Sequence, residues 1–219
     1  MHQHRGLEIR CGLDEICGDP QRLALLVYDM QVGILSQIED GARITENVVR
    51  VLSAARRASV RTFYTRHMTL PLEVAGMSAV RTAMAWQRKS SPQQIVSTFP
   101  RDSPQFALVP ELDPQPDEVI LDKIAMSAFV GTPLEIALRD CAVEAIAIVG
   151  VALEVGIEPT ARHATDLGFQ PIVVTDACGH GDATAARRSL AALQFAGGIL
   201  QTDTSTLAAL LDGCAIAQR

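Results

Sequence analysis

The run Leu23-Ala24-Leu25-Leu26-Val27-Tyr28 is continuously apolar and stops at Asp29. A strand with one wet face alternates apolar and polar residues, so an unbroken run predicts a strand covered on both sides. Ala145 to Val149 and Pro171-Ile172-Val173-Val174 repeat the pattern. Shorter strands are predicted at Arg61-Thr62-Phe63-Tyr64, at Asp117 to Leu121 and at Ile199-Leu200. Helical spacing separates them. Val48, Val51, Leu52 and Ala55 share one face over 47–58, and Pro159 to Leu167 is closed by Gly168. Asp182 opens a helix to Phe195 with Gly197-Gly198 as its stop, and a last helix runs through Leu211. Buried strands alternating with helices of this length predict a three-layer α/β/α fold. Its core would be a doubly wound, mostly parallel sheet of about six strands in the order 3-2-1-4-5-6.

The chain has 219 residues, 48% of them hydrophobic, enough for one domain with a full core. That domain is expected over 21–213, with residues 1–20 as an N-terminal extension that shows no sustained period. Residues 69–105 carry Pro71, Pro92, Pro100, Pro104 and the only tryptophan, Trp86. A loop-rich insertion of this kind is expected to serve as a lid or an interface. Thr132-Pro133-Leu134-Glu135 has the composition of a capping box. A net charge of −6 gives no footprint for nucleic acid or an anionic membrane. No apolar run reaches the roughly 18 residues of a membrane span. The N-terminus lacks the apolar core of a signal peptide, so a cytoplasmic protein is expected. Five cysteines, odd in number and without a Cys-x-x-Cys pair, suggest neither a disulfide framework nor a zinc site.

In an open α/β sheet, ligands bind beyond the carboxyl ends of the strands. Asp29, Lys123 and Gly156 each fall just after a predicted strand, in three different strand–helix units. By position alone Asp29 also reads as a turn or cap, and Lys123 as a solvated loop residue. Yet only Lys89 and Lys123 among nineteen basic residues are lysines, which singles out one at a strand end.

Val27-Tyr28-Asp29-Met30-Gln31 holds a hydrophobic run followed by Asp-x-Gln, and Lys123 to Leu134 includes Ser127-Ala128-Phe129 and Thr132. With Gly150 to Ala161, Asp166-Leu167-Gly168 and Val174 to Cys178, these segments resemble the isochorismatase-like hydrolases, in the right order over about 22–211. The resemblance implies that Asp29 is the general acid or base and Lys123 its electrostatic partner. Most members place a nucleophilic cysteine where this chain has Gly156, activated by such a base and cation. Glycine excludes acyl-enzyme chemistry from that position. The isochorismatases proper also carry glycine there and cleave a vinyl ether by delivering a proton to carbon. Under that reading Gly156 leaves room for a substrate ring and lets backbone N–H groups approach it. Ala152-Leu153-Glu154-Val155 departs from the isochorismatases, since Leu153 and Glu154 look more like the amidase branch.

Substrate-binding residues are expected at Gln31, Arg66, Ser127, Phe129, Val151, Ala152 and Val155. Trp86, like Phe129, is a candidate to stack on a planar substrate. The resemblance also implies a non-proline cis peptide between Val151 and Ala152 and a homodimer or tetramer. Tyr64-Thr65-Arg66-His67 offers one histidine without a preceding aspartate, so neither metal nor other cofactor is expected. Cys178 reads as a buried, inert thiol. Three functions compete: a hydrolase acting on a small anionic molecule by Asp29/Lys123 acid–base chemistry, a non-catalytic binding protein, and an amide hydrolase using water activated by Asp29.

Overall fold

The computed structural model describes residues 2–101 and 103–217. In chain order its strands are β1 (His2–His4), β2 (Leu7–Ile9), β3 (Leu23–Tyr28), β4 (Arg61–His67), β5 (Val119–Lys123), β6 (Ala145–Val151), β7 (Gln170–Gly179) and β8 (Leu200–Thr202). The helices are α1 (Leu13–Cys17), α2 (Val32–Leu35), α3 (Gly41–Arg57), α4 (Met77–Trp86), α5 (Leu134–Asp140), α6 (Glu158–Asp166), α7 (Ala183–Ala196) and α8 (Thr204–Ala217). A π-helical turn, Leu153–Ile157, leads into α6.

Six strands form one sheet in the order β5-β4-β3-β6-β7-β8, every neighbouring pair parallel. Setting aside the N-terminal hairpin, this is the expected 3-2-1-4-5-6, and all carboxyl ends emerge on one edge. Strand β3 shows how the sequence builds the layers. Leu23, Leu25 and Val27 pack into the core beside Val48, Val51 and Leu52 of α3 and Leu207 and Leu211 of α8. Ala24, Leu26 and Tyr28 pack to the other side, with Leu134 and Leu138 of α5, Ala161 and Ala164 of α6 and Leu193 of α7. All six are buried, and each leucine so enclosed contributes about 2 kcal/mol. The even phase of the strand therefore carries Tyr28 to the α6 side of the sheet.

Several boundaries differ from the sequence reading. Residues 1–20 are not without structure: β1 and β2 pair as an antiparallel hairpin, and α1 packs against α8 with Ile16 and Cys17 buried in the core. Within 69–105 the structure places α4 and short 3₁₀ turns at 72–74 and 92–94. Helix α4 buries none of its residues against the domain, so no core-facing stripe marked it in the sequence. The second strand runs on to His67, which puts Arg66 and His67 within β4 and not after it. Thr132 Oγ1 does accept from Leu134 N–H, but the expected reciprocal bond is not made; Glu135 pairs with Arg139 at 2.9 Å instead. Among the described residues no helix is long and apolar enough to cross a membrane.

Candidate active site

Asp29 leaves β3 with φ +47°, a left-handed conformation that aspartate adopts more readily than most residues. Its N–H bonds the Thr65 carbonyl at 3.2 Å, and its own carbonyl accepts from Gln31 N–H at 2.7 Å. Lys123 is the last residue of β5, in register with His67 of β4. Its Nζ donates to Asp29 Oδ2 at 2.7 Å and to the Ala125 carbonyl at 3.2 Å. Thr65 Oγ1 donates to the other Asp29 oxygen at 2.6 Å. Asp29 is 4% exposed and Lys123 2%, so the pair is a buried one with its bonding capacity well used. Lys123 Nζ also stands 4.3 Å from the centroid of the Tyr28 ring, a cation–π contact. Burial lowers the pKa of Lys123 and the Asp29 charge opposes that shift.

Asp29 lines a cavity of about 430 Å³, within the range of small-molecule sites, and Lys123 stands behind it without lining the cavity itself. Asp29, Tyr28, Val151, Ala152, Val155 and Gly156 form its floor, and Trp86, Gln87, Arg88, Thr98 and Phe99 of the 69–105 segment wall the opposite side. The Val151–Ala152 peptide is cis. Glu154 Oε1 accepts from the backbone N–H of Gly181 and of Asp182, each at 2.8 Å, which ties this wall to the start of α7. Asp182 in turn caps α7 through Ala185 N–H at 2.7 Å.

Gly156 lines the cavity, but the space that a side chain at this position would need is taken. An ideal Cβ on Gly156 would lie 2.0 Å from the Tyr28 hydroxyl, 2.3 Å from Cζ and 2.5 Å from Cε1. The phenol donates to the Met126 carbonyl, and Tyr28 is 2% exposed. Burial, and after it the neighbouring Asp29 charge, push the phenol pKa well above its ordinary value. Tyr28 was not singled out as a site residue in the sequence, although its place in the β3 alternation already aims it at the turn before α6.

Of the residues expected to touch substrate, Val151, Ala152 and Val155 line the cavity; Gln31, Arg66, Ser127 and Phe129 do not. Gln31 is fully buried and its amide clamps the end of β4, accepting from His67 N–H at 2.6 Å and donating to the His67 and Phe106 carbonyls at 3.0 Å. Arg66 is drawn away by Asp122, its neighbour in register on β5, at 2.8 Å, and by the Phe106 ring. Ser127 bonds His163 Nδ1 at 2.9 Å, and Phe129 stacks on Phe169 in the core. Cys178 is also buried there, its thiol donating to the Ile148 carbonyl, and burial pushes its pKa up. His67, which directly follows Arg66 in the sequence, does line the cavity, against the edge of Phe99. Among the described residues no group of three or more His, Cys, Asp or Glu is arranged to hold a metal ion.

His67 is expected to make folding pH-dependent. Burial first, then the Lys123 ammonium, hold its imidazole below the ordinary 6.5, with Asp29 acting the other way. Between that lowered value and 6.5 the unfolded chain binds a proton that the folded chain does not, so stability falls as pH drops through this window. Thermal melts of the wild type and His67→Gln at neutral pH and near pH 5 should therefore converge or cross on acidification. Parallel losses in both proteins would remove His67 as the cause.

The sequence pattern of the isochorismatase domain matches residues 23–205. An uncharacterised isochorismatase family protein of Bacillus subtilis, YwoC, is 30% identical over 159 residues, which are 73% of this chain and 78% of that protein. The ureidoacrylate amidohydrolase RutB of Serratia proteamaculans is 29% identical over 174 residues, 72% and 70% of the two chains. The solved structure of a cysteine hydrolase from Pseudomonas syringae pv. phaseolicola superimposes with a TM-score of 0.76 at 25% identity, covering 90% of this chain and 95% of that one. A parallel sheet of matching order, the motif-bearing strand ends gathered at one cavity and a domain pattern spanning most of the chain all agree: this protein belongs to the isochorismatase family.

Proposed function

We propose that the chain is a hydrolase acting on a small, anionic molecule by acid–base chemistry at Asp29 and Lys123, without a cysteine nucleophile. The observation that carries this reading is the cavity-lining Asp29, bonded at 2.7 Å to the buried Lys123 behind it, in a cavity that also reaches Gly156, a residue with no side chain to attack with. The chemistry that fits is cleavage of a vinyl ether. Lys123, its ammonium made more acidic by burial, lends a proton along its bond to Asp29, and Asp29 delivers it to the terminal vinyl carbon. A C–H bond forms and an oxocarbenium ion results. Water adds to that ion, its proton returns to the pair, and the hemiketal collapses to an alcohol and a ketone. Exposed Arg88 at the cavity wall supplies positive charge for a substrate carboxylate. The exposed Leu72, Val74 and Met77 of the insertion support its expected second role, as the contact surface of a homodimer or tetramer.

The likeness to the ureidoacrylate amidohydrolase and the Leu153-Glu154 pair favour a second reading, in which Asp29 activates water against an amide. A panel of carboxylated vinyl ethers and of ureido, aromatic and aliphatic amides, incubated with the wild type and with Asp29→Ala in D₂O, separates the two. Vinyl-ether cleavage would place one deuterium on the new methyl group, read by NMR, and the Asp29 variant would not turn over. Ammonia release without deuterium incorporation would transfer the proposal to amides. No turnover of either class would leave a binding protein on this scaffold.

A further inference from the structure

The cavity floor holds a polar group that acid–base chemistry at Asp29 and Lys123 does not use. The Tyr28 hydroxyl lies 2.0 Å from the position of a Cβ on Gly156, on the order of one covalent bond length. It thus occupies the volume that the reactive atom of a side chain at 156 would need. The phenol arrives from β3, whereas the backbone it overlaps belongs to the turn before α6, 128 positions along the chain. It is held there by its bond to the Met126 carbonyl, by the Lys123 ammonium over its ring and by the core residues Leu153 and Ile157. The adjoining Thr160 spends its hydroxyl on the Gly156 carbonyl at 2.7 Å, fixing the turn against the ring.

We infer that Tyr28 and Gly156 are an interlocked pair: the phenol takes the station of a nucleophile, requires glycine at 156, and restricts the site to proton transfer and water. Tyr28 is then a positioning residue that decides which chemistry the cavity performs. It sets Lys123 from below and bars a covalent route from the opposite corner. The inference rests on the proposed function only in taking position 156 as the nucleophile's place; the interlock itself is a matter of packing.

A double-substitution cycle tests it without any substrate. Gly156→Ala alone should lower Tm by on the order of 5–10 °C, because the methyl must displace the phenol. In the Tyr28→Leu background, where the overlapping ring atoms are gone, the same change should lower Tm by about 2 °C or less. Tyr28→Phe keeps Cζ and Cε1 at 2.3 and 2.5 Å and should give no rescue. Equal cost of Gly156→Ala in all three backgrounds would overturn the interlock. If Tyr28→Leu does not fold, the cycle is run with Tyr28→Val.

A chemical readout then addresses the reaction. The thiol introduced by Gly156→Cys should alkylate with iodoacetamide near pH 7 at least tenfold faster when combined with Tyr28→Leu than alone, since only then does it reach the space beside Lys123. Peptide mapping separates it from exposed Cys11, which serves as internal reference. Equal rates in the two variants would overturn the claim that the phenol holds the nucleophile's station. Absence of turnover by the wild type would defeat the proposed function and leave both readouts standing.

Discussion

Asp29→Ala should abolish turnover and also lower Tm by on the order of 10 °C. The catalytic part follows from losing the cavity-lining carboxylate bonded to Lys123, and general acid catalysis is worth about 10²–10⁴-fold. The stability part has a different origin. Removing one member of a buried ion pair leaves the other charge without its partner, at a cost of about 3–5 kcal/mol. For a chain of this length, 1 kcal/mol corresponds to about 2–4 °C. Part of the cost is relieved if Lys123 gives up its proton, and this yields a signature in pH. In the variant the two influences of Asp29 that raise the Lys123 pKa are gone and burial alone acts, lowering it further from 10.5. Between the lowered value and 10.5 the unfolded chain binds the extra proton, so the variant gains stability as pH rises through that window. Its deficit relative to the wild type should shrink as pH rises toward 10.5. Asp29→Ala/Lys123→Met, which removes the stranded charge at similar volume, should be more stable than Asp29→Ala. A double variant no better than the single one would mean that the ammonium was not buried.

Gly150→Ala should prevent folding outright. Gly150 sits in β6 opposite Tyr28 of β3, with φ +122°, a conformation that L side chains rarely adopt. A Cβ there would lie 2.1 Å from the Tyr28 carbonyl oxygen and 2.8 Å from its carbonyl carbon and its nitrogen. Unlike the tip of a side chain, this is the backbone of the central strand, and it cannot move without breaking the β3–β6 ladder. A loss beyond about 4 kcal/mol is expected, which would appear as insoluble expression or a far-UV circular dichroism spectrum without the native bands. Recovery of folded protein with native Tm would show that the two strands do not approach as closely as the structure has them.

The strand core was legible because burial on both faces leaves a signature that needs no partner: Leu23 to Tyr28, Ala145 to Val149 and Pro171 to Val174 are apolar whatever packs on them. Asp29 and Lys123 were legible as polar residues ending such runs, and the family resemblance assigned their roles. What stayed hidden depends on register or on distant contacts. Nothing local to Arg66 says that β4 and β5 will align it with Asp122, which turns a candidate carboxylate ligand into a structural ion pair. Gln31 looked like a substrate ligand because its buried role, holding the backbone of His67, requires knowing that β4 extends that far. Helix α4 lacks a core-facing stripe, α1 has five residues and each hairpin strand three, too few for a period to emerge. Tyr28 against Gly156 is the clearest case. Gly156 stood out in the sequence as the vacant nucleophile position, but Tyr28 did not, and only their overlap shows the packing reason for the glycine.

The contrast between the two sides of the cavity bears on how a ligand arrives. Its floor belongs to the carboxyl ends of β3 and β6, the most enclosed strands of the sheet, and the turns that follow them, while its outer wall is borrowed from α4 and the chain after it, a helix that commits none of its residues to the interior. Swinging that helix outward would forfeit little apolar contact, so we expect the cavity to open there, with faster amide exchange along α4 than along β3 and β6, while the charged pair keeps its alignment. Under the proposed chemistry, entry and exit would thereby be separated from the reacting groups: the threshold yields, and the hearth does not.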